Sequence, residues 1–441
     1  MTLRILVVSP DYYTYGAMVV GGVCERWGAR VRLRRTPDPK ALRTSDLVIF
    51  SLHSTHHLLR KDVIEAVRKA IDAGRRVIVG GPVSQVPELV LERLSGVIVA
   101  KGEAETVLPP LLDALREGGD PEEVEGIALK HDGDLVDTGW PPPADLEEPR
   151  PLKVPRGLDR QDIRGANVYI ETHRGCAGAC TFCQVPRFFG REVRWKPLDA
   201  ILEEVRALMR AGARRFAISG GTVNMYGDDE EDFARLLAAL SDLVGRQNLS
   251  APDVRADLLN ERVLEAIRDH TIGWIFLGVE SGSDRMLRRM KKGITTDDVR
   301  EAVWLARRVG VRVAASLIVG YPGEREEDVE ATEELLAELA FDDAFINVAE
   351  PIPGTELGRL VTELPEEEIP VLRPGKRMET LAGDRALQLQ LTAFTTLSRP
   401  VPLTDDVYRE AVKGVREEER KVARITRFLR EHAHLLRGTA H

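Results

Sequence analysis

Residues 171 to 184 read ETHRGCAGACTFCQ, and their cysteines decide how the chain is organised. Cys176, Cys180 and Cys183 stand at C-x3-C-x2-C, a spacing that folds three thiolates around one face of a cubic 4Fe–4S cluster and leaves the fourth iron without a protein ligand. Structural cysteine sites are closed by four ligands, whereas a site meant for chemistry keeps one position for a small molecule. A zinc site would need a fourth ligand, and His173, three residues before the first cysteine, matches no common zinc spacing.

Downstream of about residue 167, short apolar runs alternate with amphipathic helical patterns. The runs are NVYIET (167–172), RFAIS (215–219), DVRAD (253–257), WIFLGVE (274–280), RVAASLIVG (312–320) and AFINVAE (344–350). In the first helical pattern Ile201, Val205, Leu208 and Met209 share a face, with Gly212 at the cap position. Six such units predict a partial (β/α)6 barrel over 167–355, with chemistry at the carboxyl end of each strand. Those ends carry Ser219-Gly220-Gly221-Thr222, Arg255-Ala256-Asp257, Gly278-Val279-Glu280-Ser281-Gly282 and Ile318-Val319-Gly320-Tyr321-Pro322-Gly323-Glu324. Residues 356–441 read as mostly helical, and Val415, Val422, Ile425 and Phe428 form a packing stripe on the last helix. This tail is expected to close the barrel mouth.

Upstream, residues 1–118 predict a doubly wound, Rossmann-like α/β domain. Its strands are RILVVSP (4–10), ARVRL (29–33), DLVIFSL (46–52), RRVIVGG (75–81) and GVIVA (96–100). Ligands of such sheets bind beyond the carboxyl ends, here Ser9 to Gly16, Ser51 to His57, Gly80 to Gln85 and Lys101 to Glu105. No GxGxxG follows the first strand, which argues against a dinucleotide. His56 and His57 are adjacent and cannot share one helical face, so the His53, His56, His57 group reads as a solvated helix start with one cofactor contact. Residues 119–166 predict a hairpin turning at Asp132-Gly133 and then the proline-rich connector WPPPADLEEPRPLKVPRG.

The 441 residues suffice for two or three cores, and 43% hydrophobic with 30% charged residues is an ordinary globular balance. Only four cysteines, three in one motif, argue for a reducing compartment, with Cys24 a small core residue. No run approaches the ~18 apolar residues of a membrane span and no signal peptide precedes the first strand, so a cytoplasmic protein is expected. A net charge of -9 argues against a nucleic-acid partner.

The run CAGACTFC, with Phe182 before the third cysteine, resembles the cluster motif of the radical S-adenosylmethionine (radical SAM) enzymes. The resemblance implies that SAM chelates the open iron and is cleaved to a 5'-deoxyadenosyl radical. It implies SAM contacts at Phe182, Ser219, Gly220, Gly221, Arg255, Glu280, Ser281, Ile318 and Pro322. Thr222 replaces the acid of the GGE-type motif, Ser316 the first glycine of the adenine segment, and the acid of that segment comes one place late, at Glu324. The N-terminal loops are similar to the cobalamin-binding domain that precedes the barrel in many of these enzymes, which implies contacts at Pro10, Tyr13, Ser51, His53, Gly80, Gly81, Pro82, Gly102 and Glu103. The D-x-H-x-x-G loop of other cobalamin proteins is missing: SPDYYTYG has tyrosine in place of its histidine. Tyr12, Tyr13, Tyr15 or a water is then left as the lower cobalt ligand, unless the tyrosines pack against the barrel.

The function this implies is a cobalamin-dependent radical SAM methyltransferase acting on an unactivated carbon. The compact architecture resembles the archaeal enzymes that C-methylate a glutamine of methyl-coenzyme M reductase, implying a protein or peptide substrate in preference to a small molecule, with ferredoxin or flavodoxin as electron donor. The alternatives are ring formation or rearrangement on the same architecture, and a non-catalytic iron–sulfur redox module. Methylthiotransferases of transfer RNA carry three further cysteines in the N-terminal domain where this chain has only Cys24, so they are not expected.

Overall fold

The computed structural model describes residues 2–147 and 152–436. The Glu148 to Pro151 part of the connector and the last residues, 437–441, lie outside the described residues. The strands, in chain order, are Arg4–Val8 (β1), Arg30–Arg34 (β2), Leu47–Ser51 (β3), Arg76–Gly80 (β4), Ile98–Ala100 (β5), Ile127–His131 (β6) and Asp134–Asp137 (β7) in the first half. The second half adds Val168–Glu171 (β8), His173–Arg174 (β9), Arg194–Trp195 (β10), Phe216–Ser219 (β11), Leu249–Ser250 (β12), Asp253–Val254 (β13), Trp274–Glu280 (β14), Arg312–Val319 (β15) and Asp343–Val348 (β16).

The first seven strands form one sheet in the order β2-β1-β3-β4-β5-β6-β7. Strands β1 to β5 are parallel; β1, β3, β4 and β5 are mostly buried, as their Val/Ile/Leu runs require, while the edge strand β2 exposes Arg30, Arg32 and Arg34. The strand order reverses beside β1, after which the loops following β1 and β3 diverge. The β6–β7 hairpin was predicted as part of the linker. It is instead the antiparallel edge of this sheet: Val99 pairs with Ala128, Ala100 with Ile127, and Thr138 closes the register by accepting the Ile127 N–H. Backbone pairing to β5 satisfies groups that a free hairpin would leave to water.

The second series is the predicted partial barrel, β8-β11-β12 continuing as β13-β14-β15-β16. Its third strand is split. Leu249 and Ser250 pair with β11, Asp253 and Val254 pair with β14, and Pro252, lacking an N–H, sits at the break while its carbonyl accepts from Phe276. The predicted strand 253–257 therefore stops early, and Ala256–Leu258 is a 3-10 turn. In the helix Leu198–Arg210, Ile201, Val205 and Leu208 are buried as expected while Met209 is not. The buried fourth member of that face is Glu204, which faces Lys196.

The tail packs against β16 and the helix Glu326–Leu339 through two helices, Leu381–Thr396 and Asp405–Glu431. Val415, Val422, Ile425 and Phe428 are all buried. Arg385 reaches the Glu324 carboxylate at 3.0 Å, Glu418 accepts the Val348 N–H at 2.9 Å, and Arg424 donates to the Leu59 carbonyl of the N-terminal domain.

Two buried charge clusters join the domains. Arg174, 4% exposed, pairs with Glu103, Glu105 (2.8 Å) and Glu171 (2.9 Å), and Arg194 takes the other oxygen of Glu103 at 2.5 Å. Lys196 pairs with Glu204 at 3.0 Å, and Tyr15 hydrogen-bonds to both. Tyr15 thus packs against the barrel and is not available as a cobalt ligand. Removing one member of such a cluster leaves an uncompensated buried charge, which costs about 3–5 kcal/mol. Arg174→Met should therefore lower the thermal unfolding midpoint clearly, measured by circular dichroism, whereas the exposed Arg268→Met should leave it in place.

Candidate active site

The cysteine loop leaves β8 and has little hydrogen bonding of its own, so neighbours hold it. Thr181 donates both its N–H (2.9 Å) and its hydroxyl (3.1 Å) to the Met290 carbonyl and bonds the Tyr321 hydroxyl at 2.7 Å, while its carbonyl accepts from Leu357. Gly175, at φ 89°, is pressed onto the Glu192 carbonyl where no side chain would fit. Cys176 and Cys180 are buried and Cys183 half-buried. Around Gly178 a Cβ would stand 3.4 Å from the Cys176 sulfur, 3.8 Å from the Cys180 sulfur and 3.4 Å from the Arg255 guanidinium, so the thiols turn inward over this glycine.

Burial pushes the Cys180 thiol up, opposed by Lys292 and Arg255, and pushes Cys183 up to about 11. Thiolates form here only with a cation against them. No three His, Cys, Asp or Glu among the described residues come together tightly enough to hold a single metal ion. The donor set, the Cys176 and Cys180 thiols over a glycine with Cys183 in the electrostatic field of both, suits a polynuclear iron guest, and the residues fit a three-thiolate cluster.

The strand ends converge on the same side. Gly220 lies flat on the His173 ring with no room for a Cβ, Gly221 adopts φ 102°, and Thr222 approaches the Cys176 sulfur at 4.0 Å. Ser219 is half-buried at the end of β11, and Phe182 packs against the core beside the loop. A bulge between Gly278 and Glu280 ends β14 and puts Glu280 at φ 63°, a conformation that costs a non-glycine residue on the order of 1 kcal/mol or more. Its carboxylate takes the Lys292 ammonium at 2.7 Å, both groups buried. Arg255 is held by Asp257 through two bonds, 2.9 and 3.0 Å, and donates to the Lys292 carbonyl at 3.0 Å. Ile318 stands half-buried near the end of β15.

Two of the implied contacts, Ser281 and Pro322, and the late acid Glu324 bond to other groups of the chain. Ser281 turns away to the outer helix, its hydroxyl 3.5 Å from that of Thr332, because the bulge flips the chain after Glu280. Pro322 is buried, and its carbonyl serves Arg289 at 2.7 Å. Glu324 folds back to accept the Gly320 N–H at 2.9 Å and meets Arg385, so the acid arriving one place late caps its own turn. The motifs gave no sign of Lys292 or of Asp253, whose carboxyl burial pushes up to about 6 in the field of Arg164, Glu280 and Lys292. Both owe their place to the barrel's closure.

On the N-terminal sheet the expected cofactor edge is partly occupied. Glu103 is used up in the Arg174 and Arg194 pairs, and Gly102 lies against Pro141, where a Cβ would come within 2.9 Å. Tyr13 is fixed by Gln161 through its N–H at 2.8 Å; Pro10 and Ser51 are buried, and Gly80 faces the Ala100 carbonyl. His53 and His57 do not form a solvated helix start: half-buried His53, before the 3-10 turn Thr55–Leu59, bonds Tyr12 (3.3 Å), and buried His57, within that turn, bonds Asp11 (3.1 Å). Gly81 (φ 93°) and Pro82 lead to an interdomain cavity of about 10 Å³ lined also by His53, Gln184 and Pro353. Such a cavity holds about one water. Nδ1 of His53 and of His57, Ser84 Oγ and Gln85 Nε2 are nevertheless buried without a partner along this edge.

A loop of three cysteines at the strand ends of a partial barrel is the site expected of a radical SAM enzyme, and residues 170–336 match the Radical SAM superfamily model. The chain belongs to the radical SAM superfamily. Over 98% of its length it is 42% identical to a Methanocaldococcus jannaschii protein provisionally named a methylthiotransferase, covering 97% of that protein. It is 30% identical to the tRNA-2-methylthio-N(6)-dimethylallyladenosine synthase of Bordetella petrii, with 80% of this chain and 72% of that enzyme aligned. By fold it is similar to the radical SAM methyltransferase TsrM of Kitasatospora setae, solved with cobalamin and a 4Fe–4S cluster (TM-score 0.68, 18% identity, 82% of this chain and 75% of that one). The cobalamin-dependent enzyme OxsB gives a TM-score of 0.63 at 17% identity, covering 96% of this chain and 56% of that one.

These relatives overturn the cobalamin-dependent C-methylation expected from the sequence, including a glutamine target. The proteins that match in sequence over most of their length are named for methylthio transfer, and the cobalamin enzymes share only the fold. The cysteine count that argued against methylthio transfer is therefore not decisive for membership. No helix among the described residues is long and apolar enough to cross a membrane.

The His173 imidazole is fully buried, which pushes its pKa down to about 4. The unfolded chain takes up that proton near pH 6.5, so stability is whole above 6.5 and falls as the pH drops toward 4, by roughly 3 kcal/mol. The unfolding midpoint should fall over this window, and His173→Asn should flatten the profile.

Proposed function

We propose that the chain is a radical SAM transferase of methylthio type, which activates a carbon–hydrogen bond of its substrate and replaces the hydrogen by a methylthio group. The observation that carries this reading is the full-length relative joined to a three-cysteine loop whose Cys176 and Cys180 thiols converge over Gly178 beside the Arg255 guanidinium. The cluster, when bound, supplies the electron that cleaves SAM to a radical able to abstract hydrogen. The chain's part is binding and exclusion. Its three thiolates hold iron, Gly220 and Gly221 expose backbone polar groups, and Arg255 and Lys292 put positive charge beside the sulfurs. The tail helices, tied to the loop after β15 and to the end of β16, would shield the radical from water.

Cys24 is fully buried and its thiol is pushed up to about 12 by that burial. It offers no ligand for a second cluster, so the sulfur donor of this reading is a small sulfur compound outside the chain. Cobalamin, present in the solved TsrM and OxsB, is proposed only as a guest of an opened interface; the unpartnered atoms of His53, His57, Ser84 and Gln85 support it. Cobalt copurifying with protein made in cobalamin-fed cells would support that guest, and its absence would remove it.

The activity is tested by anaerobic reconstitution with iron and sulfide, reduction by dithionite and detection of 5'-deoxyadenosine. The parent should cleave SAM, and Cys180→Ala should fall to the level of the protein-free control. RNA and protein fractions from cells with and without the enzyme, compared by mass spectrometry, should differ by one methylthio group. A gain of one methylene instead would overturn the reading.

A further inference from the structure

Beside the cysteines lies a charge arrangement that the strand-end motifs do not use. Lys292 follows the short helix Asp284–Arg289 and is 7% exposed. Its Nζ fills the space over Gly278, where a Cβ would come within 2.5 Å, so the ammonium lies against β14 at the bulge. The same turn is bonded to the cysteine loop: the Met290 carbonyl takes both donors of Thr181, and the Lys292 carbonyl takes Arg255, whose guanidinium also reaches Gly178. Lys292 and the Cys180 thiol feel each other's charge, the ammonium being held on by the sulfur as well as by Glu280.

The two cations differ in how they are balanced. Arg255 is neutralised by a two-bond pair with Asp257, itself one-third exposed, so solvent and partner both screen it. Lys292 has one partner, Glu280, through one hydrogen bond, and both side chains are 8% exposed. Buried charges are screened least, and adding an electron to the cluster adds one negative charge beside them.

We infer that Lys292 is the positioning residue that sets the reduction potential of the cluster, with Glu280 as its counter-charge. The pair works as opposed settings. The ammonium favours the reduced cluster, and the carboxylate at the end of β14 offsets it. The redox step is the addition of one electron from a low-potential donor to the oxidised cluster, with no bond made or broken in the protein. The inference rests on membership of the superfamily and not on methylthio transfer.

The test is an electron paramagnetic resonance redox titration of the full-length, iron-reconstituted protein without SAM, using dithionite and viologen mediators. Lys292→Met should move the midpoint to more negative potential and Glu280→Gln to more positive potential. Lys292→Arg should restore the parent value, and Lys291→Met, exposed and paired with Glu356, should leave it unchanged. A purely structural pair would give shifts of the same sign in both variants, or none, and either result overturns the inference. If Lys292→Met takes up no iron, Glu280→Gln and Lys292→Arg decide alone: a midpoint in Glu280→Gln that fails to rise also overturns it.

Discussion

Three thiolates can leave one iron open only if the loop carrying them is held from outside, and the Thr181 to Met290 contact is where that holding is concentrated. One threonine gives its N–H and its hydroxyl to a single carbonyl, and Tyr321 bonds the same hydroxyl. These bonds connect the loop after β8 to the turn after β14 and to the loop after β15. A change at any of these strand ends reaches the cysteines through fixed bonds, not through flexible chain. The Met290 to Gly293 turn also carries Lys292, so the segment that positions the sulfurs also charges their surroundings.

The same economy joins the domains. Arg174, two residues before Cys176, is balanced by carboxylates from both halves of the chain, and Glu103 is shared with Arg194 from the strand that pairs with it. The cysteine loop is therefore seated on the N-terminal sheet as firmly as on the barrel. Such buried pairs add little net stability over an apolar core, but they leave few alternative registers for the domain contact. The unpartnered polar atoms near His53 and Gln85 lie along the same seam, away from these pairs.

What could be read from the chain was local. The cysteine spacing, the apolar runs and the stripe Val415, Val422, Ile425, Phe428 are local patterns, and the structure keeps them except in the run 253–257, where only Asp253 and Val254 pair as strand. Partners distant in sequence could not be read. Glu103 reads as a cobalamin contact because its partner Arg174 is 71 positions away, and Met209 falls on the expected buried face because nothing local says that Glu204 takes the inner place. Lys292 and Asp253 belong to no motif and meet only when β13 and β14 pair. The hairpin 127–137 was separable from a linker only by its pairing with β5. Function followed the same rule: the loop chemistry was legible, whereas the transferred group was drawn from the likeness of the N-terminal loops to a cobalamin domain, and the relatives that match over most of their length are named for methylthio transfer.

The central claim is that Cys176, Cys180 and Cys183 leave an iron that takes SAM directly. It is tested most directly by electron–nuclear double resonance on the reduced, reconstituted protein mixed with SAM labelled with nitrogen-15 in its amino group. The account predicts a nitrogen-15 coupling to the cluster spin that is absent without SAM. A spectrum identical with and without SAM, from a cluster whose four irons all carry protein ligands, would contradict it.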